Sequence, residues 1–160
     1  MTIFTVKASI ALLSPMFLAL AACDPAPPEY LAMGKEVAGS IVIYVSSCRP
    51  DPVTLIQVVP NGRDTLEPVD PTDAIWQVRA RSQQDVGSSF VVGEAPPGFE
   101  TTSDRLAGAD LSNYSVDVFF GDKFDSSDSL YLLYAASLQP DVLVGDGPHV
   151  VTLDELNHCD

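Results

Sequence analysis

From Ser40 onward the chain alternates short apolar runs with clusters of Pro, Gly, Asp and Ser. The runs are SIVIYVSS (40–47), VTLIQVV (53–59), AIWQVRA (74–80), SFVVGE (89–94), YSVDVFF (114–120), LYLLYAAS (130–137) and HVVTLDEL (149–156). Their content of Val, Ile, Tyr and Phe suits strands, and breaks such as PNGRD and GDGP carry turn chemistry. Two runs alternate strictly. In AIWQVRA, Trp76 and Val78 share one face with Gln77 and Arg79 opposite; in YSVDVFF, Tyr114, Val116, Val118 and Phe120 share a face with Ser115 and Asp117 opposite. Each pattern fits a strand with one buried side. No window carries a sustained helical stripe, residues 130–138 coming nearest. About seven strands at this spacing predict an all-β fold, an antiparallel β-sandwich.

The segment LSNYSVDV (111–118) resembles the tyrosine-corner approach of immunoglobulin and fibronectin-like domains, where Leu and then Tyr precede alternating valines. Trp76, in the third predicted strand, is similar to the core tryptophan of that architecture. The resemblance implies an immunoglobulin-like sandwich, although any sandwich needs large residues at inward positions. The remaining cysteines do not match the inter-sheet bridge of antibody domains.

Residues 1–22, MTIFTVKASIALLSPMFLALAA, put one positive charge, Lys7, before an apolar run from Ala8 to Leu20. That is the layout of a secretory signal, and the run is short for a membrane span of about 20 residues. It ends in Leu20-Ala21-Ala22-Cys23. This resembles the lipobox of bacterial lipoprotein precursors: an aliphatic residue, two small residues, then the cysteine that receives a diacylglyceryl group through a thioether. The resemblance covers the leader and Cys23 alone. It implies that Cys23 is the lipid attachment site, that the leader is removed, and that the protein is held on the cell membrane, facing the extracytoplasmic side. Two acyl chains, at about 0.8 kcal/mol per buried methylene, suffice for stable anchoring without a spanning helix. An aspartate at the next position, Asp24, implies inner-membrane retention if the envelope is Gram-negative and nothing if it is Gram-positive.

The chain is thus expected to divide into a signal peptide (1–22), a lipidated cysteine with a Pro-rich tether (23–38) and one domain (39–160). Residues 24–36, DPAPPEYLAMGKE, contain three of the 13 prolines and no periodicity. As a semi-rigid tether they would reach ~40 Å at about 3.1 Å per residue.

Charge narrows the partners. Lys7 is the only charged residue of the leader, so its removal leaves 7 basic and 22 acidic residues, a formal charge of −15 against −14 for the whole chain. Such a chain repels nucleic acid and, taken as a whole, anionic headgroups. Membrane contact then rests on the acyl chains, and the expected partner is an envelope protein or a cell-wall component. With Cys23 committed to lipid, Cys48 and Cys159 remain, and an extracytoplasmic compartment favours a disulfide between them. Two free thiols, or a metal site with His158, are the alternatives, the latter poorly spaced for zinc.

Motifs for catalysis are missing from the sequence. VGSSF lacks the last glycine of a nucleophile elbow, no Ser-x-x-Lys occurs, and His149 and His158 have no nucleophile motif nearby. Phosphate-loop, dinucleotide and zinc-helix patterns do not occur either. No catalytic residue, cofactor or metal site is therefore assigned. Three features stay open. Asp122, Asp125 and Asp128 in GDKFDSSDS could offer oxygen ligands to calcium, but their spacing is not that of an EF-hand and a solvated hairpin loop explains them equally. Phe99, after Pro96-Pro97-Gly98, is either a recognition anchor at a loop tip or a plug beneath it. Asn113-Tyr114-Ser115 matches a glycosylation sequon, which carries little meaning in a bacterial protein.

The reading that results is a lipid-anchored, extracytoplasmic β-sandwich with a non-catalytic binding or scaffolding role. An envelope enzyme with scattered catalytic residues, or a module for calcium or cell-wall glycan, are the alternatives. The two lobes of a transporter's solute-binding lipoprotein would need a longer chain.

Overall fold

Val53 pairs with Phe120, and Ile56 with both Val78 and Val118, so the longest apolar run lies between two others in one sheet. The computed structural model describes residues 30–49, 51–82, 86–124, 126–140, 142–145 and 149–159. Among these, ten strands form two antiparallel sheets. The first contains β1 (Leu31–Lys35), β2 (Ile41–Val45), β5 (Ser89–Val91), β9 (Leu143–Val144) and β10 (Val150–Val151), in the order β10-β9-β1-β2-β5. The second contains β3 (Val53–Pro60), β4 (Trp76–Ala80), β6 (Phe99–Asp104), β7 (Tyr114–Phe120) and β8 (Ser126–Tyr131), in the order β6-β4-β3-β7-β8. The protein is a β-sandwich.

The core lies between the sheets. Ile56, Val58, Trp76, Val78, Val116, Val118 and Phe120 face Leu31, Met33, Ile43, Val45, Phe90 and Val144 from the other layer. Full burial of each such side chain is worth about 1.5–3 kcal/mol. Both alternating runs put their expected faces inward. A register shift between Val53 and Leu55 lets Val53 and Ile56 both reach the core although three positions separate them.

The order of strands departs from the sequence reading in particular places. Leu31–Lys35, expected within the tether, is β1, a central strand whose first four residues are buried. The domain boundary therefore moves back from 39 to about Tyr30. The signal missed there is Gly34: a Cβ at that position would lie 2.8 Å from Leu143 Cδ2 and 3.0 Å from Tyr44 Cε2, so a residue that weakens strand propensity is needed for close packing. Trp76 consequently falls on the fourth strand, not the third. FETTSD (99–104), too polar to stand out, is the edge strand β6. The run 130–137 begins in β8 but becomes a 3-10 helix over Leu132–Ser137, in the window that most resembled a helix. The run 149–156 keeps only β10 as strand. Thr152 and Glu155 then form a capping box, and Leu153–Leu156 make a single helical turn, α1.

Cys48 and Cys159 are joined, with Cα atoms 5.3 Å apart and a sequence separation of 111. The bridge fixes the segment after α1 to the end of β2. Hydrogen bonds support the same docking: Ser46 Oγ donates to the Leu156 carbonyl at 2.6 Å, and the Ser47 amide donates to Asn157 Oδ1 at 2.8 Å.

Candidate functional site

A sandwich normally leaves the outer face of each sheet to solvent. Here the outer face of the second sheet is covered as well. Gln57, Gln77 and Asp117 point outward from β3, β4 and β7, yet Gln57 is 0%, Gln77 1% and Asp117 2% exposed. The segment 61–74, which joins β3 to β4, lies across them as a strap. Its composition explains why it makes no strand: NGRDTLEPVDPTD alternates Pro, Gly and Asp with few apolar residues.

The strap is held by side chains. Gln57 Nε2 donates to the Glu67 carbonyl at 3.1 Å, and Gln57 Oε1 accepts from the Val69 amide at 3.1 Å. Gln77 Nε2 donates to the Val69 carbonyl at 2.9 Å, and Thr102 Oγ1 donates to Gln77 Oε1 at 2.7 Å. Register aligns these groups: Gln77 opposes Gln57, Gln57 opposes Asp117, and Asp117 opposes Ser129. A row of polar side chains thus crosses the sheet. Burial of each is offset by hydrogen bonding, as desolvated polar groups require.

Asp117 is the centre of the row. Its Oδ1 accepts from Ser129 Oγ at 2.7 Å and from Ser115 Oγ at 3.2 Å. Its Oδ2 accepts from Gln57 Nε2 at 3.1 Å and from Arg63 Nη1 at 3.2 Å. Arg63 belongs to the strap, and its Nη2 also donates to the Glu67 carbonyl at 2.7 Å. A groove of about 270 Å³, lined by Gly62, Arg63, Leu66, Ser115, Ser129 and Tyr131 among others, opens beside this carboxylate. The far end of the strap is tied by Arg105, whose Nη2 donates to the carbonyls of Thr72 and Ala74 at 2.6 Å each.

Two other grooves lie at the end of the sandwich where β2 and β7 finish. One, about 530 Å³, is lined by Arg49, Asp51, Gly87, Ser88 and Asn157 beside the disulfide. The other, about 340 Å³, is lined by Thr54, Arg79, Arg81, Ser82, Asp122 and Phe124. Phe124 adopts φ 57°, a left-handed backbone that an aromatic residue rarely takes. It stacks edge-on against Phe119, ring centroids 5.7 Å apart, and the Arg79 guanidinium sits 5.8 Å from its ring centre.

The residues singled out from sequence are distributed as follows. Cys23 and Asp125 lie outside the described residues. Asp122 sits exposed in the turn after β7. Asp128 lies on β8 opposite Val118, and one of its oxygens accepts from the Tyr30 amide at 3.2 Å, so it holds the start of β1. Among the described residues no three His, Cys, Asp or Glu side chains are grouped as a metal site would need. Phe99 is 6% exposed and belongs to the core, which makes it a plug. His149 and His158 are both exposed. Asn113 is exposed, whereas Ser115 of the sequon is buried against Asp117.

Two carboxylates titrate below their ordinary range. Hydrogen bonds from the Ser112 hydroxyl and then the Ser112 amide lower Asp110, which caps the short 3-10 helix Leu111–Asn113. The Thr152 amide, and then the Thr152 hydroxyl, lower Glu155 in the capping box. Both are exposed and serve local structure.

The buried row is not legible in the sequence because its meaning depends on register. Alternation puts Gln77 and Asp117 on the outward faces of their strands, but nothing local shows that a strap covers them. No protein-family model matches the chain, and no curated protein or solved structure is significantly similar to it.

Proposed function

We propose that the protein is a lipid-anchored extracytoplasmic β-sandwich that serves as a binding or scaffolding module at the cell envelope. The observation that carries this reading is Cys23, directly after Leu20-Ala21-Ala22 at the end of an apolar leader. The Cys48–Cys159 bridge supports it, because disulfides persist in oxidising compartments. The position of the first strand also suits it. Only residues 24–30 stand between Cys23 and the start of β1 at Leu31, so little chain separates anchor and domain.

A non-catalytic role is supported by how the buried polar groups are used. The four hydrogen bonds to Asp117 come from groups that fix the strap and the neighbouring strands. Such a carboxylate is spent on architecture. The acidic surface and the open grooves leave recognition to the loops and the strap.

In-cell cross-linking of the acylated protein, followed by mass spectrometry of what is captured, tests the role. Repeated recovery of one discrete envelope protein or of wall glycan is the expected result. Recovery of a covalent substrate adduct on Ser115, Ser129 or another side chain would contradict it and point to an enzyme.

A further inference from the structure

The groove of about 270 Å³ beside Asp117 is bounded by the strap on one side and by β7 and β8 beneath. Ser115 opposes Tyr131 and Asp117 opposes Ser129, so four side chains stand as a rectangle on one face of the sheet. Neighbours in it are about 4.8 Å apart across the strands and about 6.7 Å apart along them. Arg63 and Leu66 line the groove from the strap.

The polar floor has a fixed hydrogen-bonding polarity. An ionised carboxylate only accepts, so the hydroxyl protons of Ser115 and Ser129 both point to Asp117 Oδ1. Each serine oxygen keeps its lone pairs, and any further partner must be a donor. Donation to a charged group also polarises the hydroxyl and makes it a better acceptor. Arg63 is the complement. Its bonds to Asp117 and to the Glu67 carbonyl use Nη1 and Nη2 but not Nε, so the guanidinium retains further donors. The groove thus offers oriented acceptors below and donors at its wall.

Charge and apolar surface narrow the ligand. Asp64 also lines the groove, so a phosphate or carboxylate would meet two acids, while an ammonium would meet the Arg63 guanidinium. A neutral ligand avoids both costs. Tyr131 is 46% exposed and Leu66 39%, two of the six large apolar side chains left exposed among the described residues, and both border this one groove. An apolar rim around a polar floor is the composition of a site for a molecule with both kinds of face.

We infer that the groove between the strap and β8 binds one neutral sugar ring of a cell-wall glycan; this rests on the envelope-binding role proposed above. Ring hydroxyls both donate and accept, so they match Ser115 and Ser129 on one side and Arg63 on the other. The apolar C–H face of the ring lies against Tyr131 and Leu66. Asp117 is a positioning residue here: it touches no ligand but fixes the direction of the serine hydroxyls and holds Arg63 in place.

The test titrates the protein, purified from its host in detergent micelles, with a tetramer of N-acetylglucosamine and follows backbone amide shifts. Saturable shifts at Gly62, Leu66, Ser129 and Tyr131 are expected. Tyr131→Ala should weaken binding about tenfold, and Tyr131→Phe, which keeps the ring, about twofold or less, with the melting temperature unchanged in both. Saturation without shifts at these residues, or undiminished affinity in Tyr131→Ala, would overturn the site. Shifts with 1,6-diaminohexane and none with the sugar would overturn the ligand class. Equal affinity for the monomer and the tetramer would assign the groove to free sugar and overturn the wall assignment. No binding of the tetramer, with one envelope protein captured by cross-linking, would overturn the saccharide site and leave the envelope role standing. A mature protein without acyl chains would instead overturn that role.

Discussion

Asp117 and Arg63 meet at 3.2 Å across the outer face of the second sheet, the carboxylate side chain 3% exposed and the guanidinium side chain 26%. They join a strand to the strap above it. The asymmetry in burial decides what each contributes. Asp117→Ala takes an acceptor from Gln57, Ser115, Ser129 and Arg63, and is expected to destabilise the fold by about 3 kcal/mol. Arg63→Met keeps the apolar stem over the strand and lets the other three donors satisfy the carboxylate, for a loss of about 1 kcal/mol. Urea unfolding of both variants checks this. Equal and small losses would mean that the strap is not held through Asp117.

Phe99 is a plug of the core, reached by the chain immediately after the Pro96-Pro97-Gly98 turn. Phe99→Ala should lower the unfolding free energy by about 3 kcal/mol through the cavity it leaves. An unchanged melting temperature would return Phe99 to the surface and to a recognition role.

The Cys48–Cys159 bridge fastens a helix of one turn that could not persist alone. Reduction, or Cys159→Ser, is expected to lower stability by about 2–4 kcal/mol. Hydrogen exchange should rise first at the Leu156 and Asn157 amides, which donate to the Thr152 and Leu153 carbonyls, and at the Ser47 amide, which donates to Asn157 Oδ1, while β3 and β7 stay protected until global unfolding. Simultaneous loss of protection in all three places would show the C-terminal segment to be part of the central folding unit.

Glu155 supplies a pH dependence of known sign. Its carboxylate is held below its ordinary value by hydrogen bonds from Thr152, so the folded form binds its proton less readily than the unfolded form. The stabilisation is fully present above the unfolded-state value and is lost as pH falls through the lower, folded-state value. Carboxyl NMR should place the Glu155 midpoint below that of Glu155 in an unfolded peptide of the same sequence. Thr152→Ala removes the hydroxyl but keeps the amide, the larger of the two causes, so the gap between the midpoints should narrow without closing.

The sandwich was legible because burial on one face imprints a period of two, clearest at Trp76–Val78 and Tyr114–Phe120. The disulfide was legible through the cysteine count. What escaped was non-local. Gly34 reads as a strand weakener until Leu143 and Tyr44 are seen pressing on it from other strands. Asp117 and Gln77 read as solvent-facing until the strap is laid over them. Phe124 hides its role in the same way, since only the fold brings Phe119 and Arg79 to its ring.

The most direct test of the central claim is the intact mass of the mature protein purified from the membranes of its native host. A polypeptide beginning at Cys23 and carrying a diacylglyceryl group, whose lipid mass vanishes in Cys23→Ala, is the predicted result. A mature protein without acyl chains, or one cut at another residue, would contradict it.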